Sequence, residues 1–105
     1  MKSNRNLQNS ALAVKTKAFT SPVGTGQGFA KKYGNVIVIY YEFRFTSNVT
    51  TWDTEVCKIP SDFFDTTKNY YSNSGKSFLY NNGKVISVCN YKIGEALYDN
   101  FCFIL

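Results

Sequence analysis

An all-β fold, an antiparallel β-sandwich of jelly-roll type, is the architecture that the sequence predicts, and three observations support it. Nine Phe and eight Tyr occur among 105 residues, and aromatic side chains fit the pleated surface of a sheet. Residues 36–46 alternate between apolar and other side chains, which is the period of a strand. Asn82-Gly83 stands between two apolar runs, which is typical of a tight hairpin turn. The length is that of one domain, so we expect a basic flexible arm over residues 1–20 and a single sandwich domain over residues 21–105.

The N-terminal third predicts two short strands separated by a loop. Residues 11–19 alternate weakly, which suggests a first strand. Residues 21–28 contain one Pro and three Gly, which predicts a loop. Residues 29–33 form a short strand candidate, and Gly34-Asn35 closes it with a turn.

The strongest strand signal follows this turn. One face of residues 36–46 is apolar without interruption, and the other begins apolar and then becomes charged. The apolar start of the second face predicts that another sheet or another subunit covers it. The uninterrupted face consists of Ile37, Ile39, Tyr41, Phe43 and Phe45.

The remaining segments complete a set of six to eight short strands, which is typical of a sandwich or barrel. Residues 50–59 predict a strand that ends at Pro60, and Ser61 or Asp62 is placed to cap one helical turn after it. Residues 76–80 and 84–90 pair as a hairpin. Residues 99–105 form an apolar last strand, which we expect to be tucked into a sheet or the centre of an oligomer because open edges invite aggregation.

Positive charge is concentrated near the N-terminus. The net charge is +5, and residues 1–41 contain six basic residues and no acid. This asymmetry indicates an acidic partner for a docking arm, and a solvated flexible arm is the simpler alternative. The docking residues would be Lys2, Arg5, Lys15 and Lys17.

Catalytic machinery is not expected. The chain has no His, the commonest general base and metal ligand, so we predict neither an enzyme nor a metal or cofactor site.

Cys57, Cys89 and Cys102 are odd in number and widely spaced, which predicts three reduced, buried thiols. Asp53 and Glu55 would share one strand face as solvated charges. We expect no signal peptide and no membrane insertion, since no run approaches about 20 apolar residues.

A nucleic-acid-binding module is a weaker alternative. Lys31, Lys32 and Tyr33, with Phe29 nearby, are types of residue that stack and neutralise single strands. The aromatic residues of the long strand, however, alternate as a core face does. Nucleic acid is therefore an unlikely partner, and salt-dependent binding would distinguish this reading.

An ordered series of features resembles the C-terminal domain of bacteriophage tail-fibre, baseplate and related virion fibre proteins. Gly34-Asn35-Val36 leads into the long strand, and a segment runs from Trp52 through Ile59-Pro60 to Phe63. Asn82-Gly83-Lys84-Val85-Ile86 supplies the hairpin, and an aromatic strand follows it. The resemblance covers about residues 29–105.

The resemblance implies a sandwich that forms a homotrimer, displayed on a virion that assembles in the bacterial host cytoplasm, and it implies binding to host-surface saccharide. The alternative is a structural virion protein, a head fibre or baseplate joint, docked on other virion proteins through its N-terminal arm without a receptor role. Tyr and Trp offer flat faces to sugar rings, and Asn and Lys offer hydrogen bonds. Core packing is the alternative role for Trp52, and one of the two adjacent tyrosines would be buried. The candidate contacts are Trp52, Tyr70, Tyr71, Asn73 and Lys76.

Overall fold

In the computed structural model, which describes residues 14–105, the chain forms two four-stranded antiparallel sheets. The strands are β1 (Val14–Phe19), β2 (Gly24–Tyr33), β3 (Val36–Phe45), β4 (Glu55–Lys58), β5 (Tyr70–Tyr71), β6 (Ser77–Leu79), β7 (Lys84–Ser87) and β8 (Ala96–Ile104). The first sheet has the order β1-β2-β3-β8, and the second has the order β4-β7-β6-β5. The all-β prediction is confirmed. No helix within the described range is long and apolar enough to cross a membrane.

The first sheet is organised by the hairpin of β2 and β3. The two strands pair in unbroken register from Gly24 opposite Phe45 to Tyr33 opposite Val36. Gly34 closes the hairpin with a φ of 61°, a conformation that glycine adopts without steric cost. The predicted core face of β3 is confirmed, because all five of its inward side chains are buried.

The predicted loop over residues 21–28 is wrong, since β2 begins at Gly24. Gly24, Gly26 and Gly28 all lie on the inner face of the strand, opposite the large side chains of β3. A Cβ at Gly28 would overlap the ring of Phe19, which crosses this glycine. The Phe19 ring packs 6.3 Å from the Tyr41 ring, measured between centroids. Gly28 therefore makes room for an aromatic ring, whereas a Cβ at Gly24 or Gly26 would overlap a backbone carbonyl oxygen of β3.

The predicted first strand is confirmed as β1, which pairs with β2 along its whole length. Within the described residues the first sheet includes Val14–Phe19, so this part of the segment assigned to a flexible arm is a strand. Residues 1–13 of the predicted arm lie outside the described residues.

The second sheet contains the predicted Asn-Gly hairpin. Gly83 has a φ of 90° and donates its N–H to the Tyr80 carbonyl at 2.9 Å. The strands on either side, β6 and β7, are shorter than predicted.

Two local predictions between residues 50 and 65 are wrong. Residues 50–54 form a turn, in which the N–H groups of Asp53 and Thr54 donate to the Thr50 carbonyl, so Asp53 and Glu55 do not share a strand face. The 3-10 turn Ser61–Phe63 begins after Pro60, and neither Ser61 nor Asp62 caps it through its side chain.

The three cysteines occupy three different environments. All are free, but only Cys57 is buried as predicted; Cys89 is half-buried and Cys102 is exposed. Cys102 faces outward because it alternates with the buried Phe101 on β8. Burial, assisted by the nearby Glu55 carboxylate, raises the pKa of the Cys57 thiol well above its usual range.

Both sheets contribute to one core, and a buried hydrogen-bond chain crosses it. Tyr41 of β3 and Asp99 of β8 are directly opposite in the register of the first sheet. The Tyr41 hydroxyl donates to Oγ of Ser77, on β6 of the second sheet. Ser77 Oγ donates in turn to Asp99 Oδ2 at 2.7 Å. Burial is the main cause that raises the pKa of Tyr41 well above its usual range.

Replacement of Ser77 by Ala should lower the free energy of unfolding by about 1–3 kcal/mol, because the buried Asp99 carboxylate loses a donor. Urea denaturation followed by circular dichroism measures the change. Ser61→Ala is the matched control, since this serine is exposed and its side chain does not cap the 3-10 turn. Equal urea midpoints for the two variants would contradict the stabilising role of the buried hydrogen-bond chain.

Candidate functional site

The five predicted contact residues lie on or near the second sheet. Trp52 is in the turn before β4, and Tyr70 and Tyr71 form β5. Asn73 and Lys76 lie in the connection between β5 and β6. The structure brings Trp52 and Tyr71 together and separates Tyr70 from both.

Trp52 and Tyr71 belong to an exposed aromatic group that we call the tryptophan cluster, formed by Trp52, Tyr71, Phe78 and Tyr80. The rings of Trp52 and Tyr71 meet edge to face at 89°, with centroids 6.4 Å apart. Phe78 lies 5.4 Å from Trp52 and 4.8 Å from Tyr71 between ring centroids. Trp52 is 47% exposed and Tyr71 is 60% exposed, so the cluster presents aromatic surface to solvent.

An unusual backbone conformation holds Trp52 at this surface. Its φ is 60°, and no other residue except glycine has a positive φ in the described part of the chain. The conformation costs energy for a bulky residue and persists because neighbours restrain it. Trp52 donates its N–H to the Ser87 carbonyl at 2.8 Å, and Thr51 donates its hydroxyl to the Val88 carbonyl at 2.5 Å. Strain of this kind is concentrated at binding sites.

Tyr70 packs where the two sheets meet and not in the cluster. Its ring stacks on Phe103 of β8 with a centroid distance of 3.8 Å and an angle of 11°. Its hydroxyl is buried and has no hydrogen-bond partner among residues 14–105. Adjacent residues of a strand face opposite sides, so only Tyr71 points to the solvent side of the second sheet.

Asn73 and Lys76 differ in their roles. Asn73 donates its N–H to the Asn100 carbonyl at 2.8 Å, and its side-chain amide donates to Asn100 Oδ1. Asn73 therefore ties the second sheet to the edge strand β8. Lys76 has an exposed side chain, and its carbonyl accepts the Val88 N–H. Residues 87–88 lie between Lys76 and Trp52, because Val88 bonds to Lys76 and Trp52 bonds to Ser87. The backbones of Lys76 and Trp52 are therefore about two strand spacings, roughly 10 Å, apart.

A second feature, the outer-face groove, was missed by sequence reasoning. It is an open groove of about 750 Å³ on the solvent side of the first sheet, between β2, β3 and β8. The side chains that matter most for its chemistry are Gln27, Phe29, Tyr40, Glu42, Tyr98 and Asn100.

Strand register assembles the groove. One cross-strand row places Phe29, Tyr40 and Asn100 side by side. The next row places Gln27, Glu42 and Tyr98 side by side. The Phe29 and Tyr40 rings lie 5.5 Å apart between centroids. Each of the three strands contributes only two of these residues, which explains why periodicity alone did not reveal the groove.

The other end of the same face is apolar. Val14, Tyr33, Val36 and Ile104 form one row across all four strands of the first sheet, which we call the apolar row. All four side chains are exposed, and Ile104 is 69% exposed. No element among residues 14–105 covers the apolar start of the second β3 face, so the predicted cover by another sheet is not found within this range, and cover by another subunit stays a prediction.

The predicted docking residues are placed in part. Lys2 and Arg5 lie outside the described residues. Lys15 and Lys17 are exposed on β1, and Lys15 is directly opposite Lys32 of β2. Lys31 lies on the other face of β2, over the Tyr40 ring at 5.7 Å from its centroid. Lys31 and Lys32, both candidates for nucleic-acid binding, therefore lie on opposite faces of β2.

The cluster and the groove share one combination of side chains. Exposed aromatic rings lie beside hydrogen-bonding side chains in both the cluster and the groove. No group of three or more His, Cys, Asp or Glu residues within the range 14–105 is placed to hold a metal ion. No protein-family profile matches the chain, and no curated protein or solved structure is significantly similar to it.

Proposed function

We propose that this protein is a fibre or tail domain of a bacteriophage virion that binds saccharide on the host surface through the tryptophan cluster. The observation that carries the proposal is the exposure of Trp52, held at positive φ with its ring edge to face against Tyr71. Aromatic faces bind the apolar side of a sugar ring, and preorganised rings lose little conformational entropy when they do so.

Polar groups near the cluster supply the directional part of such a site. The Lys76 side chain is exposed roughly 10 Å from Trp52, within reach of a ligand hydroxyl or acidic substituent. Tyr71 carries a phenolic hydroxyl beside the indole ring. We leave Asn73 out of the proposed site, since its amide is engaged with Asn100. We leave Tyr70 out of the proposed site because its ring stacks on Phe103.

The finer parts of the proposal are a jelly-roll-like sandwich, a homotrimer and a virion assembled in the bacterial host cytoplasm. The apolar row supports association, because four adjacent exposed apolar side chains are costly to leave in water. A chain of this size also gains stability when it buries surface against copies of itself.

Trp52→Ala should weaken saccharide binding at least tenfold by removing the largest exposed ring of the cluster. The measurement is an array of oligosaccharides from bacterial capsules and lipopolysaccharide O-chains, followed by calorimetric titration of the best ligand. Ile93→Ala is the control, since Ile93 is exposed in a loop apart from the cluster. Full affinity in Trp52→Ala would show that the tryptophan cluster is not the site of saccharide binding.

Ile104→Lys should dissociate the oligomer, because it puts a charge into the apolar row. Light scattering should give three times the chain mass of 11.9 kDa for the unaltered protein and a lower mass for the variant. Ile93→Lys makes the same substitution at an exposed position outside the row. A monomeric unaltered protein would remove the trimer from the proposal.

A second candidate is a purely structural virion protein that docks on an acidic virion surface through β1. The supporting observation is that Lys15 and Lys32 are directly opposite, an unfavourable arrangement that an acidic partner would relieve. In this case the edge strand β1 takes the place of the flexible arm.

Lys15→Gln combined with Lys17→Gln should then reduce incorporation into particles by about tenfold, as measured by quantitative immunoblotting of purified virions. Lys58→Gln combined with Lys84→Gln is the matched control, since these lysines are opposite each other on the second sheet. Equal incorporation of both variants would contradict docking through β1. If the unaltered protein, without any other virion protein, binds single-stranded DNA and the binding weakens with salt, the nucleic-acid alternative is favoured.

A further inference from the structure

The outer-face groove has the composition of a ligand site on a face that also contains the apolar row. Tyr98 is 60% exposed in the middle of the groove, although it is the largest side chain on the outer face of β8. Tyr40 is also exposed, and its ring is fixed by Phe29 and by the Lys31 ammonium group. The groove therefore has a rigid aromatic floor that remains open to solvent.

Hydrogen-bonding groups alternate with these rings. Glu42 lies between Gln27 and Tyr98 in one row, and Asn100 lies beside Tyr40 in the next row. Glu42 and Asn100 are diagonal neighbours on β3 and β8, at roughly 7–8 Å between backbone positions. An ionised carboxylate only accepts hydrogen bonds, whereas an amide also donates, so the pair offers both functions to one ligand.

Asn100 is held in place before any ligand arrives. Its side-chain oxygen accepts from the Asn73 amide, which leaves its NH₂ group to donate. Its backbone N–H donates to Asp99 Oδ1 at 2.8 Å, and its carbonyl accepts from Asn73 N. Groups fixed in this way lose little entropy on binding.

One anion and two cations border the groove, namely the Glu42 carboxylate, the Arg44 guanidinium and the Lys31 ammonium group over Tyr40. The Glu42 carboxylate in its centre accepts hydrogen bonds and so favours hydroxyl groups, which can donate to it. Arg44 is at one end, where its guanidinium donates to the Gly94 carbonyl at 2.6 Å. A neutral ligand rich in hydroxyls, with apolar ring faces, fits both the floor and the acceptor.

We propose that the outer-face groove is a second saccharide site, which takes neutral pyranose units independently of the tryptophan cluster. It extends the proposed function to a different surface and does not depend on Trp52. Val36 in the apolar row is four positions from Tyr40 and six positions from Glu42 along β3, which is about 13 Å and about 20 Å. We expect self-association through the apolar row to leave the Glu42 row of the groove accessible in every copy.

The single tryptophan allows the two sites to be observed separately. Neutral O-chain oligosaccharides selected on the array are titrated into the full-length protein. Tryptophan fluorescence reports ligand at the cluster, and backbone amide shifts of Glu42, Tyr98 and Asn100 in nitrogen-15 NMR spectra report ligand at the groove. We expect saturable shifts at the groove, and these should persist in Trp52→Ala.

Tyr98→Ala and Glu42→Gln should each reduce groove affinity about tenfold while the tryptophan response is unchanged, and Tyr98→Phe should retain most of the affinity because it keeps the ring. Both positions are exposed, so loss of folding is not expected, and the amide spectrum checks it. Fluorescence changes without groove shifts would overturn the groove and leave the tryptophan cluster standing. Groove shifts without fluorescence changes would overturn the tryptophan cluster and leave the groove standing. The absence of both signals would overturn both sites.

Discussion

The hydrogen-bond chain from Tyr41 through Ser77 to Asp99 is the constraint on which the surfaces of this domain depend. Hydrophobic packing is non-directional and tolerates many arrangements of two sheets, whereas a buried carboxylate needs its donor in one place. Tyr41 and Asp99 must point inward to reach Ser77. Because strand side chains alternate, their neighbours must then point outward, and these neighbours include Tyr40, Glu42, Tyr98 and Asn100. The buried hydrogen-bond chain therefore helps to determine which side chains of β3 and β8 line the groove.

The elements that were predicted correctly are those whose signals are local. The alternation of β3 and the Asn-Gly turn before Lys84 are properties of a few consecutive residues. The beginning of β2 was missed because glycine content reads as a loop when taken alone. Gly28 is explained by Phe19, whose ring crosses it to reach Tyr41 and Phe43. Such a contact between strands is invisible until the register is known.

The same distinction applies to the candidate sites. The sequence predicts Trp52 and Tyr71 as contacts of one ligand. Their edge-to-face arrangement depends on a positive φ at Trp52, which a predicted strand over residues 50–59 does not anticipate. Tyr70 and Tyr71 face opposite sides because successive side chains of a strand alternate. This difference follows from the sequence once β5 is recognised as a strand. The groove was not predictable, because Gln27, Glu42 and Tyr98 are adjacent only through two strand pairings.

The first sheet divides its outer face between two kinds of chemistry, and this division has a consequence for binding strength. The apolar row is suited to contact with another copy, and the groove, whose two rows lie about 13 Å and about 20 Å away along β3, is suited to a hydroxyl-rich ligand. A shallow site with one or two rings binds a sugar weakly by itself. Copies joined through the apolar row would present several such sites to one polymeric surface, and linked sites raise overall affinity by about 10²–10⁴-fold without any new contact. Under the proposed function, a small domain therefore needs no deep pocket to hold a cell surface, because its oligomeric contacts and its ligand contacts lie on separate parts of the same sheet.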